Sequence, residues 1–156
     1  MTIRLATALL LCCFIPGLST SPAQGQRMAV VVSSRNSLTN LQISDLRKVF
    51  MGDRKSWPDG SIIKLLTRSP GTSERAALLK LMGMSETEYK QYWTAKIYRG
   101  EAEAEPIVLP SFGMQKEALV IYPGGIALMT ATDVKPGIKV IKVNGKLPDE
   151  NGYPLE

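Results

Sequence analysis

Apolar residues along this chain recur with two periods, and the places where the period changes mark its elements. Residues 28–32, Met-Ala-Val-Val-Val, form an unbroken apolar run ending at Ser33-Ser34, the pattern of a strand buried on both faces. Residues 36–40 are polar and read as loop. Ser44 then reads as an N-cap, with Asp45 in the first turn where the helix dipole favours an acid. Leu46, Val49 and Phe50 share one apolar face, and Gly52 ends the helix. Trp57-Pro58-Asp59-Gly60 is a turn, followed by a strand over 62–67. Beyond a loop at 68–73, Ala76, Ala77, Leu78, Leu79 and Leu81 predict a helix closed by Gly83. Ser85 and Glu88 have the spacing of a capping box, and Tyr89, Trp93 and Ile97 line one face of the helix that follows, up to Gly100. Residues 101–105 alternate acid and alanine before Pro106 and read as a solvated connection. Ser111 predicts a cap for a helix reaching about Val120. Tyr122-Pro123-Gly124-Gly125 turns into a strand over 126–129. Residues 133–137 read as loop, 139–143 as an alternating strand, and the polar tail from 144 to 156 as irregular.

Strands alternating with helices over one uninterrupted stretch predict a single α/β domain, a mostly parallel or mixed sheet flanked by helices. The domain is expected to cover residues 28–156, after a flexible lead at 24–27. Residues 1–23 carry a different signal. Arg4 is followed by an apolar run of 11 residues from Leu5 to Ile15, too short to span a bilayer, which takes about 20. Pro16-Gly17 and small residues follow, and Ser21-Pro22-Ala23 has the small residues of a signal-peptidase site. The expectation is an export signal cut after Ala23, a periplasmic or secreted product, and no stable membrane insertion after cleavage.

Composition narrows the chemistry. The chain has 44% hydrophobic and 21% charged residues, ordinary for a folded domain, which argues against disorder. It has no histidine, and both cysteines, Cys12 and Cys13, fall within the signal. The exported part then has neither the commonest general base nor the commonest soft metal ligands, so a zinc site, a disulfide and a thiol nucleophile are not expected. No serine-lysine or paired-carboxylate spacing stands out, so neither an enzyme nor a cofactor is expected. Net charge is +5. Lys135, Lys139, Lys142 and Lys146 contribute to it as a solvated face, and export argues against nucleic acid as a partner.

The loop from Arg68 to Ser73 holds the candidate chemistry. A helix N-terminus presents unpaired backbone amides and partial positive charge, which suits an oxyanion. Arg68 can contact two oxygens, Gly71 permits close backbone approach, and Ser69, Thr72 and Ser73 bring hydroxyls. The same residues also fit a plainer role, in which Thr72 or Ser73 caps the helix and Arg68 is solvated.

In this loop the chain resembles the phosphate-binding proteins of ABC transporters, a type 2 periplasmic binding protein-like family. Arg68-Ser69 followed by Gly71-Thr72 is similar to their ligand loop, with Pro70 in place of a longer stretch. Residues 43–52 resemble their helix ending in phenylalanine-leucine-glycine, Trp57-Pro58-Asp59-Gly60 their tryptophan turn, and residues 122–127 their proline-glycine segment. Val143-Asn144-Gly145 and Gly152-Tyr153-Pro154-Leu155 resemble their closing stretch. The resemblance runs from about Met28 to Leu155. It implies one lobe of a two-lobed binder and assigns Arg68, Ser69, Gly71, Thr72 and Ser73 to an oxyanion. The other lobe's glycine-rich loop and acid have no counterpart here. The implied function is weak, non-catalytic binding of phosphate or a similar oxyanion, accessory to uptake or sensing. The rival reading is a lobe repurposed for protein interaction, docking a second copy or another envelope protein through the face its mate once covered.

Overall fold

The computed structural model describes residues 26–155, so the expected signal over 1–23 and both cysteines lie outside the described residues. The elements run β1 (Met28–Ser33), β2 (Asn40–Leu41), α1 (Ile43–Phe50), β3 (Lys64–Arg68), α2 (Ser73–Met82), α3 (Glu86–Tyr98), β4 (Ile107–Leu109), α4 (Phe112–Ile121), β5 (Gly125–Thr130), a 3-10 turn at Ala131–Asp133, and β6 (Ile138–Val143). They form one mixed sheet in the order β2-β6-β1-β5-β3-β4. β1 is antiparallel to both its neighbours, while β3 is parallel to β4 and β5, and β2 to β6.

β1 is buried along its whole length because both faces of the sheet are covered. Met28, Val30 and Val32 face the larger core with Leu46, Val49 and Phe50 of α1, Leu78 and Met82 of α2, and Tyr89 and Trp93 of α3. Ala29 and Val31 face the smaller core with Ala118 and Leu119 of α4. Removing these side chains from water is the main force holding the layers together.

Most expected signals do their work. Ser85 and Glu88 form the capping box at α3, Ser111 caps α4, and Gly83 closes α2 in the left-handed conformation. Several expectations are corrected. α1 begins at Ile43, with Gln42 at the cap position and no side-chain cap bond, so Ser44 lies inside the helix. Ile97 is not on the buried stripe of α3, where Tyr89 and Trp93 are joined instead by Lys96. The Lys96 ammonium reaches Asp53 at 2.6 Å. The tail has no regular element, yet it is not loose. Tyr153 and Leu155 enter the larger core, and the Tyr153 hydroxyl donates to the Met28 carbonyl. Burial pushes that phenol up to about 12.

Two short strands, β2 and β4, were not expected. Asn40-Leu41 and Ile107-Val108-Leu109 are too short to show a period, and Pro106 and Pro110 bracket the latter. Both are edge strands whose identity comes from the neighbour they pair with.

Helices α2 and α3 are clasped by Arg75, which donates to both Glu86 carboxylate oxygens at 3.0 and 2.8 Å and lies 3.8 Å from the Tyr89 ring centre. The hydrogen bond from Arg75 holds Glu86 below its ordinary 4.5. A depressed carboxylate adds stability above its unfolded value and loses it as pH falls through the folded value. Unfolding midpoints measured from pH 7 down to 3 should therefore carry an acid-side loss that Arg75→Met reduces. An unchanged slope in that variant would assign the acid sensitivity elsewhere.

Candidate oxyanion site at the carboxyl ends of β3 and β5

The connection leaving β3 runs through α2 and α3 to β4, on one side. The connection leaving β5 runs to β6, on the other. Adjacent parallel strands whose connections diverge leave a crevice beyond their carboxyl ends. Pairing between β3 and β5 stops at Leu66 with Ala127, while β3 continues beside β4 to Arg68 and β5 beside β1 to Thr130. The two strands therefore part. The Leu128 carbonyl, just beyond the pairing of β5 with β3, accepts from the side-chain amide of Gln115 at 3.0 Å.

The expected site residues gather at this parting. Arg68 is the last residue of β3, Ser69 and Gly71 follow in the loop, Thr72 is the N-cap of α2, and Ser73 opens that helix. Gly71 has φ +87°, and a Cβ there would meet nothing within 4 Å. Glycine is therefore needed for the turn and not for clearance inside the protein. The Thr72 hydroxyl donates to the Ser69 carbonyl at 2.9 Å and accepts from the Arg75 amide at 3.2 Å. Its proton is thus committed to shaping the loop. The Ser73 and Glu74 amides have no intrahelical acceptor, as the first turn of a helix dictates.

Arg68 is not solvated. One terminal nitrogen donates to the Leu109 carbonyl at 3.2 Å. Its Nε has no hydrogen-bond partner and is shielded from solvent, 3.9 Å from Glu74 Oε2. Glu74 is buried and accepts from the Ser73 hydroxyl and the Thr130 hydroxyl, each at 3.3 Å. Beneath them is a cavity of about 10 Å³ lined in part by Arg68, Glu74, Thr67 and Leu128, room for one water. A shallow groove of about 500 Å³ reaches Ser73 from the other side, past Ala77, Leu81 and Leu155.

Glu74, Thr130 and the Leu109 carbonyl belong to this site and were not anticipated. Glu74 is recognisable from sequence as a first-turn acid that suits the helix dipole. Its position next to Arg68 depends on how α2 docks on β3. Thr130 comes from a strand 56 residues away in sequence. Of the C-terminal lysines, Lys139 donates to the Asn36 carbonyl and Lys146 to the Asn151 carbonyl, while Lys135 and Lys142 are exposed. Among the described residues, no three acidic, histidine or cysteine side chains meet as a metal site requires, and no helix is long and apolar enough to cross a membrane.

No family model matches the chain, and no curated protein matches it in sequence. Solved structures do share its fold. An ABC-type phosphate transport receptor from Vibrio cholerae superposes with a TM-score of 0.61 at 19% identity, over 78% of this chain and 48% of the receptor. PstS from Borrelia burgdorferi gives 0.62 at 17%, over 83% and 53%. A Clostridium perfringens structure with bound phosphate, described as a phosphate ABC transporter substrate-binding protein, gives 0.63 at 15%, over 78% and 46%. The chain spans about half the length of these proteins, and at such identities the likeness is one of fold. The one-lobe α/β architecture that the sequence resemblance implied is the architecture observed.

Proposed function

We propose that this protein is an extracytoplasmic, non-catalytic binder of phosphate or a similar oxyanion, accessory to phosphate uptake or sensing. The supporting observation is the place of the loop. In a fold shared with phosphate transport receptors, Arg68 ends β3 and Ser69 to Ser73 lead into the first turn of α2. That puts a guanidinium, a hydroxyl and free amides at one crevice. Arg68 supplies charge, the Ser73 hydroxyl and first-turn amides supply hydrogen bonds, and Ser69, Gly71 and Thr72 hold the loop in shape.

One lobe gives part of a ligand's hydrogen-bond shell and does not close over it. Millimolar affinity, about −4 kcal/mol, is the expectation. Titration of inorganic phosphate at fixed ionic strength, followed by amide shifts or calorimetry, tests it. Arg68→Ala should weaken binding by about tenfold or more, since a charge-assisted contact contributes about 1.5–3 kcal/mol. Thr72→Ala should show itself chiefly in stability, a loss of about 1 kcal/mol for the cap. Wild-type protein that shows no saturable binding at tens of millimolar reduces the loop to a helix cap.

A second reading is favoured by a separate observation. Ile62, Val120 and Ile121 are 61%, 59% and 65% exposed, and the Ile62 carbonyl lies against Gly124, in the turn that follows Val120 and Ile121. In this reading the lobe docks a second copy or another envelope protein. Sedimentation at micromolar concentration separates the two, because a strict monomer with saturable phosphate binding leaves only the first.

A further inference from the structure

Three groups at the candidate site converge on a carboxylate of the chain itself. Arg68 Nε lies 3.9 Å from Glu74 Oε2. The Ser73 hydroxyl donates to the same oxygen, and the Thr130 hydroxyl donates to Oε1. A cation and two hydroxyls around a buried pair of oxygens are the partners a tetrahedral oxyanion would need, and here Glu74 already has them. The arrangement has slack. The arginine-to-carboxylate distance exceeds a hydrogen bond, Arg68 Nε is left without a partner, and both side chains help line a small cavity.

We infer that Glu74 is the affinity-setting residue of this site, an internal occupant that an incoming oxyanion must displace from Arg68, Ser73 and Thr130. The inference rests on the oxyanion reading above and adds to it a residue that neither the loop motif nor the resemblance assigns. Glu74 opposes binding twice. It engages the donors the ligand would use, and its charge repels any anion that reaches them. A hydroxyl donor can turn to a new acceptor by rotation about one bond, so Ser73 and Thr130 are free to change partners once the carboxylate withdraws. Glu74 stands at the first helical turn beside the exposed Ser73, so rotation of its side chain toward the loop carries the carboxylate toward water.

Glu74→Gln is the direct test, because it keeps size and one of the two acceptor oxygens while removing the charge. Inorganic phosphate and sulfate are each titrated into wild type and variant at fixed ionic strength. Both anions should bind about five- to tenfold more tightly to Glu74→Gln, the factor expected for one solvent-screened unit charge at contact distance. Glu74→Asp, which keeps the charge but withdraws it by one methylene, should gain less. Adding Arg68→Ala to Glu74→Gln should abolish the gain, which a general loosening of the loop would not do. Thermal unfolding of each variant establishes that it is folded. If wild type binds phosphate and Glu74→Gln binds it equally or more weakly, Glu74 is a ligand partner or a bystander; the inference fails while the oxyanion reading stands. If neither protein binds either anion, the oxyanion reading itself fails.

Discussion

Gly124→Ala should cost about 3 kcal/mol or more of stability, and it should do so without touching the candidate site. A Cβ at residue 124 would sit 1.9 Å from the Ile62 carbonyl oxygen and 2.8 Å from its carbon. Both are backbone atoms, so no side chain can swing away. The two segments are also pinned together. Lys64 donates its amide to the Gly124 carbonyl at 3.1 Å, and Ile63, next to Ile62, is held from its other side by the Lys55 carbonyl at 2.9 Å. Relief of the clash requires parting the start of β3 from the start of β5. Overpacking that moves backbone costs about 1–3 kcal/mol and occasionally more, and here hydrogen bonds are strained as well. Against a typical total of about 5–15 kcal/mol, that is a large fraction. Gly113→Ala is the matched control. It lies in α4, its nearest contact would be Ser111 Oγ at 3.9 Å, and alanine there should leave stability unchanged or raise it by up to about 1 kcal/mol. Denaturant unfolding of the two variants measures the contrast. Equal midpoints would mean that the β3–β5 junction yields more easily than its hydrogen bonds imply.

Trp57→Ala should destabilise by about 3–5 kcal/mol, the range for removing a buried aromatic side chain. Trp57 sits in a turn, where sequence leaves open whether the indole faces water. The structure buries it to 3% exposure, and its N–H donates to the same Gly124 carbonyl at 3.1 Å. Trp57→Phe keeps most of the apolar area and loses the hydrogen bond, so about 1–2 kcal/mol is expected. The Gly124 carbonyl would still accept from Lys64. The ratio of these two losses, read from denaturation midpoints at unchanged slope, separates packing from hydrogen bonding. A Trp57→Ala loss below about 1 kcal/mol would place the indole in solvent. Because Trp57 and Gly124 touch, their effects should not add, and a double-mutant cycle should show coupling.

Sequence carried the reading furthest where the cause is local. β1 was visible because four apolar residues follow Met28 without a break, and only a central strand tolerates that. The α3 capping box was visible because its partners are three residues apart. The candidate loop was visible because a cation, a glycine and hydroxyls crowd a helix start. Where the cause lies across the sheet, sequence was silent. β2 and β4 are strands only because β6 and β3 offer them free edges. Lys96 takes the buried place expected of Ile97, where its ammonium meets Asp53 from the segment after α1. No pattern within α3 records that neighbour.

The sequence by itself determined the α/β class, the two-faced burial of β1, the helix termini at Ser85, Gly83 and Ser111, and the gathering of Arg68 to Ser73 at one helix start. These follow from residue periodicity and from bonds spanning three or four positions, which a linear pattern contains. Only the tertiary structure decided what those residues face. It joined Arg68 to Glu74 and the Leu109 carbonyl and brought Thr130 beside them from a distant strand. The reason is geometric. Where β3 and β5 part depends on the strands flanking each, and those pairings are set by the packing of α2 and α4 on opposite faces of the sheet.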